Sequence, residues 1–285
     1  MIYFGPSSAD DMFYEMKYKN SEDMPKFLSE MGLNAFEYSC TKGVRISDEK
    51  ALRIKESALV YDIFLSVHSP YYINLATNDE ENREKSVNYI LDTMRIAKVM
   101  GAKRVVVHAG ACAKIERIVA LEYAKKTLKI TLERAKQLDL DMIHICPETM
   151  GKVNQLGDLD EVMELCKIDD SLIPTIDFGH LNARTMGGIV TKEDYAKILD
   201  SIKDKLGTDR YNCFHSHFSK IEYTKGGEKR HLTFADEDFG PDPLPLMQLV
   251  RERGISPVFI CESSGTQARD AKTMKEMYCN ENFNY

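Results

Sequence analysis

Six side chains able to hold a metal ion, His68, His108, Glu148, Asp177, His215 and Glu262, each fall in or at the end of a short strand-length run. The runs are Phe64 to His68, Val105 to His108, Met142 to Glu148, Pro174 to Asp177, Cys213 to Phe218 and Pro257 to Glu262. A lone histidine or carboxylate after a strand is more often a hydrogen-bonded or helix-capping residue than a ligand. Charged groups at the inner ends of buried strands are costly unless paired or metal-bound, so the recurrence points to one shared site. More imidazoles accompany the set. His180 follows Asp177 by three residues, His217 shares a strand face with His215, and His231 closes the polar segment Glu228-Lys229-Arg230-His231. Mixed imidazole and carboxylate donors suit zinc, manganese or iron, and disfavour magnesium or calcium sites built only from oxygen. So many histidines exceed the needs of one ion. Two or three Zn2+ ions, or Mn2+ or Fe2+ in their place, are expected, with Glu148 bridging a pair. Clustered ions favour hydrolysis of phosphate esters. His144 shares the parity of Glu148 and reads as a core or supporting residue.

The elements that must position these groups alternate along the chain. Ile2-Tyr3-Phe4 and Ala35-Phe36-Glu37-Tyr38 bring the strand-length runs to eight. Between them the apolar spacing changes to three and four. In 82–100 it runs through Val87, Ile90, Leu91, Met94 and Ala97, and in 116–137 through Ile118, Leu121, Ala124, Leu128 and Leu132. Further helices are predicted near 22–31, 48–59, 158–166, 192–204, 244–252 and 267–279. Strands each followed by a helix predict a closed parallel (β/α)8 TIM barrel, spanning 1–285 as one domain. An open doubly wound sheet is the alternative. In a barrel the strand ends surround one mouth, where active sites of this fold lie.

Composition bounds the rest. The 285 residues are 43% hydrophobic and 29% charged, ordinary for a soluble globular protein. No apolar run approaches a bilayer span and the N-terminus lacks a signal-peptide pattern. Seven scattered cysteines without a CxxC pair fit reduced thiols in a cytoplasmic protein. A monomer without membrane attachment is therefore expected. The formal charge of −7 argues against a protein that coats nucleic acid, though not against a local basic rim.

Taken together, several segments resemble the endonuclease IV family of apurinic/apyrimidinic endonucleases, within the xylose isomerase-like barrels. They are His68-Ser-Pro-Tyr71-Tyr72-Ile-Asn74-Leu75, Val107-His108-Ala-Gly110, Pro147-Glu148-Thr149, Asp177-Phe-Gly-His180, His215 with Ser219-Lys220, His231, and Cys261-Glu262-Ser263. The resemblance implies a trinuclear zinc site that hydrolyses the phosphodiester 5′ to an abasic nucleotide in double-stranded DNA. It assigns His68 and His108 to a first zinc and Asp177, His215 and Glu262 to a second. Glu148 would bridge these two, and His180 and His231 would hold a third. Glu148 and Glu262 are the carboxylates it makes catalytic. Tyr71 and Tyr72 would stand beside the DNA, with Lys42 and Arg45 near its phosphates.

The chain departs from the family in three places. An aspartate ligand two residues before the final histidine is replaced by Lys229, which leaves His217 or Glu228 to substitute. His217 is favoured because the family has an asparagine there, while Phe218 replaces the next aspartate. The loop Ser39 to Arg45 matches the family's DNA-probing loop only in part, and Phe234 to Gly240 is acidic where the family is glycine-rich. Two other readings stay open. One is a divalent-metal sugar isomerase or epimerase, which would use Glu148, Asp177, His215 and Glu262 for one ion; the other is a paralogue acting on another phosphoester. The basic residues Lys152, Arg184, Lys220, Lys225 and Arg230 all fall in expected loops at the mouth.

Overall fold

Alternation along the strands divides their side chains between two environments. The computed structural model describes residues 1–112 and 115–280. Its strands are β1 (Tyr3–Pro6), β2 (Ala35–Ser39), β3 (Phe64–His68), β4 (Arg104–His108), β5 (His144–Glu148), β6 (Thr175–Asp177), β7 (His215–Phe218), β8 (Ile221–Thr224), β9 (Gly227–His231) and β10 (Val258–Cys261). Eight of them run parallel in the order β1-β10-β7-β6-β5-β4-β3-β2, a nearly closed barrel, and β8 and β9 form a separate antiparallel hairpin. Leu65, Val67, Val105, Val107, Ile145, Ile176, Phe259 and Cys261 face the helices and join the main apolar core. The alternate positions point inward. There the apolar groups shrink to two small clusters, Ala35 with Val258 and Ile260, and Val106 with Cys146 and Ile173. Most of the remaining inward positions are polar, and Glu37, Ser66, His68, Arg104, Glu148, Thr175, Asp177, His215 and His217 are all buried.

The outer layer consists of α1 (Asp11–Glu15), α2 (Met24–Glu30), α3 (Asp48–Tyr61), α4 (Glu80–Met100), α5 (Arg117–Gln137), α6 (Leu159–Cys166), α7 (Phe178–Arg184), α8 (Lys192–Cys213), α9 (Pro243–Arg253) and α10 (Gln267–Cys279). Local signals set their ends. Asp79 caps α4 by accepting from the amide of Asn82 at 2.7 Å, and Gly101 ends it in the left-handed conformation, φ 77°. Four features lie outside the sequence prediction, the first being the short helix α1. Helix α8 continues to Cys213, across a break at Gly207 (φ 83°, ψ 173°). Helix α7 follows β6 without a loop, because Asp177 both ends the strand and caps the helix, accepting from the His180 amide at 2.6 Å. The hairpin β8–β9 occupies what reads as a polar loop. All seven cysteines are free thiols, and no helix among the described residues is long and apolar enough to cross a membrane.

Between β1 and β2 the barrel is joined by a side chain in place of a regular ladder. The Asn34 amide group accepts from the Phe4 backbone at 2.8 Å and donates to the Ile2 carbonyl at 3.0 Å. The two backbones also come together at Gly5, where a Cβ would stand 1.7 Å from the Ala35 carbonyl oxygen. Gly5→Ala must therefore push the first two strands apart. We expect it to lower unfolding stability by about 3 kcal/mol or more, the upper end of overpacking costs. Chemical denaturation checks this, and a loss under about 1 kcal/mol would contradict the close approach.

Candidate metal centre

Strand register decides which donors meet. Asp177 on β6, His217 on β7 and Ile260 on β10 are level, and Glu262 follows just beyond the end of β10. Glu148, Asp177, His217 and Glu262 accordingly form one compact donor group. His68, His108 and Glu148 form a second, the imidazole Nε2 atoms lying 3.4 and 3.2 Å from Glu148 Oε2. The other Glu148 oxygen, Oε1, is 3.0 Å from His217 Nδ1, so this one carboxylate belongs to both groups. A third group unites His180, Glu228 and His231. His180 Nε2 is 3.5 Å from Glu228 Oε2, and His231 Nε2 is 3.9 Å from Glu228 Oε1.

Several imidazoles are aimed by a bond to their other nitrogen, the arrangement that fixes a metal-binding tautomer. His68 Nδ1 meets the Ser69 carbonyl at 2.8 Å, His180 Nδ1 the Thr149 carbonyl at 2.9 Å, and His231 Nδ1 the Ser219 hydroxyl at 2.8 Å. Each ring thus presents Nε2 to its group.

Two assignments change with this geometry. His215, expected with Asp177 and Glu262, lies level with Thr175, one inward position below them. It is wholly buried, and its Nε2 meets Glu37 Oε2 at 3.0 Å. The donor beside Asp177 and Glu262 is His217. Equal parity made the two histidines indistinguishable in sequence, and only the register separates them. Nor does His217 complete the third group, where the carboxylate is Glu228. The hairpin explains why. Glu222 pairs with Arg230 and Tyr223 with Glu228, so Lys229 is an extra, unpaired residue. This bulge brings Glu228 onto the face of His231 and turns Lys229 out to Glu222, 2.5 Å away. Gly151 leaves the necessary room, since a Cβ there would lie 2.7 Å from Glu228 Cβ and 2.9 Å from His180 Cδ2.

The supporting residues divide as well. Tyr71 and Tyr72 are 60% and 44% exposed and contact each other edge to face. They adjoin the loop carrying the exposed Lys42 and Arg45, through the Tyr71 amide to the Thr41 carbonyl at 3.2 Å. The rest of the basic set is largely engaged elsewhere. Arg184 donates to the carbonyls of Met150, Lys152, Val153 and Gln155, Lys220 to those of Phe234 and Asp236, and Arg230 pairs with Glu222. Lys152 and Lys225 are exposed. Phe218 packs outward between Phe178 and Phe234. His144 bonds the Ser171 carbonyl at 2.8 Å, at the opposite end of β5 from Glu148. The acidic segment lines a cavity of ≈ 680 Å³ with Glu237, Asp238 and Phe239, apart from the mouth. A second cavity, ≈ 690 Å³, opens at the mouth against Glu228, His231 and Glu262.

Electrostatics mark the centre as strongly coupled. Burial resists ionisation of Glu148, yet His217 and His108 hold its carboxyl well below the usual range. Burial likewise opposes charge on His68, but Glu148 outweighs it and brings that imidazole up to about 9. His180 also rises to about 9, Asp177 and Glu228 overcoming its burial. Burial raises Asp177, whose Oδ2 is inaccessible and has no hydrogen-bond partner. An orphaned buried carboxylate oxygen among imidazoles fits a divalent cation of the zinc, manganese or iron type.

Comparisons to known proteins bear on the barrel that carries this site. Residues 25–278 match the model of the xylose isomerase-like TIM barrel family. The chain belongs to that family. Among its relatives is an uncharacterized protein of Methanocaldococcus jannaschii, 34% identical over 92% of both chains. A probable endonuclease 4 of Thermosipho melanesiensis is 28% identical over 79% of this chain and 78% of its own. Among solved structures, a D-tagatose 3-epimerase-like protein superposes with a TM-score of 0.70 at 22% identity, over 89% of this chain and 91% of that one. At that identity the likeness speaks for the barrel alone.

The two raised histidines have a measurable consequence. A metal must displace their protons, so metal affinity depends on pH. Because both titrate near 9, zinc affinity of the chelator-stripped protein should climb from neutral pH toward about 9 and then level. Calorimetry in buffers of different ionisation enthalpy should detect proton release at pH 7. A pH-independent affinity without proton release would contradict the assignment of His68 and His180 as ligands.

Proposed function

We propose that the chain is a divalent-metal phosphodiesterase of the endonuclease 4 kind, which cleaves double-stranded DNA on the 5′ side of abasic sites. The observation that carries this reading is the crowding of donor groups at one mouth, two of them joined through Glu148, a further one linking His68, His217 and Glu262, and another formed by His180 with the hairpin residues Glu228 and His231. His68, His108 and Glu148 would hold one ion. Glu148, Asp177, His217 and Glu262 would hold a second, and His180, Glu228 and His231 a third. Zinc ions there would activate water and offset the negative charge that builds on a phosphoryl group during in-line displacement. The chain's own residues set the stage for this. Burial keeps bulk water from Glu148 and Asp177, while the partly exposed His108, Glu228, His231 and Glu262 face the entering substrate. Tyr71 and Tyr72 would stand against the distorted duplex, with Lys42 and Arg45 close to its phosphates. Acting on DNA, the protein would work as a monomer in the cytoplasm.

One observation favours a second reading, a sugar epimerase or isomerase. Glu148, Asp177, His217 and Glu262 are by themselves a complete ligand set for one ion, as a ketose-binding centre would require. That reading has no use for the hairpin group.

The discriminating measurement is incision of a duplex containing one abasic-site analogue, by zinc-loaded protein and by a chelated control. We expect zinc-dependent cleavage 5′ to the analogue. Glu148→Ala and His108→Ala should each reduce it by about 100-fold or more with the fold retained, a loss comparable to removing one main electrostatic contact to a transition state. Glu228→Ala should also lower incision, whereas Lys229→Ala should leave it intact. Zinc-bound protein that leaves the duplex uncut and epimerises a ketose would overturn the nuclease reading. An active Glu148→Ala protein would remove the bridging role.

A further inference from the structure

Beneath the mouth lies a line of buried polar groups outside the proposed ligand sets. Arg104, on β4 at the barrel floor, donates to the Cys213 carbonyl at 2.7 Å and reaches His215 Nδ1 at 3.5 Å. His215 Nε2 meets Glu37 Oε2 at 3.0 Å, and the Ser66 hydroxyl donates to the same oxygen at 2.7 Å. The other oxygen, Glu37 Oε1, stands 2.8 Å from His217 Nε2. These last two atoms are out of line for a hydrogen bond, and neither has another partner. A buried donor and a buried acceptor this close, both otherwise unsatisfied, are each other's available partner once the ring turns slightly.

We propose that Glu37 is a positioning residue: it takes the Nε2–H of His217 and so commits that ring's Nδ1 to the ion shared with Glu148, Asp177 and Glu262. The inference rests on the metal reading above. Proton positions along the line follow from what each group can do. Arginine only donates, so His215 must accept at Nδ1 and carry its proton on Nε2, facing Glu37. That proton removes Nε2 of His215 as a metal donor, which argues against Glu37, His215 and His217 forming a further metal site. Glu37 Oε2 is filled by the Ser66 and His215 donors, leaving Oε1 for His217. On its far side His217 presents Nδ1 to Glu148 at 3.0 Å and to Glu262 at 3.6 Å. Arg104 sets the direction of the His215 bond, and the acceptor-only carboxylate of Glu37 sets that of His217.

Only a carboxylate can occupy position 37 in this scheme. An amide has one accepting atom, and with that atom kept for Ser66 and His215 its NH2 would face His217 Nε2. His217 would then have to accept there and hold its proton on Nδ1, where it blocks the ion. Turning the amide over would set NH2 against the Nε2–H of His215, which Arg104 prevents from reversing.

The test uses full-length protein with 15N-labelled histidine, stripped by chelator and reloaded with Zn2+. In the zinc-loaded wild type, His217 should show a protonated Nε2 and a metal-bound Nδ1. Glu37→Gln should weaken one zinc by about 10–100-fold in chelator competition, the usual cost of losing such a support. The zincs held by the other groups should keep their affinities, and the His217 pattern should invert. The double variant Glu37→Gln, Arg104→Met should recover affinity, because His215 is then free to reverse and the amide oxygen can turn to His217. Zinc bound through Nε2 of His217 in the wild type would overturn the proposal whether or not any variant folds. So would a folded Glu37→Gln protein with zinc affinity within about two-fold of wild type. If saturating zinc leaves the His217 signals of the wild type unmoved, the metal reading falls first and this inference with it.

Discussion

A single carboxylate without solvent sets the terms for this barrel. Glu148 is fully buried at the end of β5, and four imidazoles, those of His68, His108, His180 and His217, lie within 3.5 Å of its oxygens. An isolated charge in that position would be untenable. Its presence obliges the surroundings to supply positive or metal-bound partners, and β3, β4, β7 and α7 each bring an imidazole to it. The polar interior follows from that obligation. Inward positions that a barrel would ordinarily fill with branched apolar residues are given over to groups that stabilise one another, and the apolar packing is displaced outward onto the helices.

Much of this arrangement was legible in the sequence, because it rests on two periodicities. Strand runs ending in His68, His108, Glu148 and Asp177 alternate with helices whose apolar spacing is unambiguous, and the barrel follows. What parity cannot resolve is height. His215 and His217 point the same way, and their difference in level arises only from the stagger of β7 against β6 and β10. Glu37 was hidden for a related reason. One charge in an otherwise apolar run looks like the exposed face of a strand, and its inward direction depends on the whole sheet closing. The hairpin β8–β9 was hard to read because β9 is polar on both faces and β8 offers only Ile221 and Tyr223 on an apolar one. Its turn, Thr224-Lys225-Gly226-Gly227, is a visible signal, but the bulge that exchanges Lys229 for Glu228 is a matter of pairing.

The two chemistries proposed above make different demands on this scaffold, and the number of donor groups separates them. Fold likeness at 22% identity does not choose, since one barrel hosts many functions. The strands alone build a centre for one or two ions. The hairpin adds further donors, together with His180 on a helix that Asp177 caps. Reading function from such a family therefore means reading what the loops contribute.

That division of labour has a kinetic side. Two of the donor groups draw mainly on strand ends locked into the barrel, whereas Glu228 and His231 ride on a two-stranded ribbon. The ribbon is held by backbone contacts with residues 151–153, Lys220 and Gly240 and by packing against α7. Ribbons of this size open locally far more often than a barrel unfolds. An ion held there would come and go on the timescale of ribbon opening, while its neighbours stayed in place for the lifetime of the fold. The centre would then be graded in residence time, with a slow interior and a fast rim, and the supply of metal around the protein would be registered at the rim first.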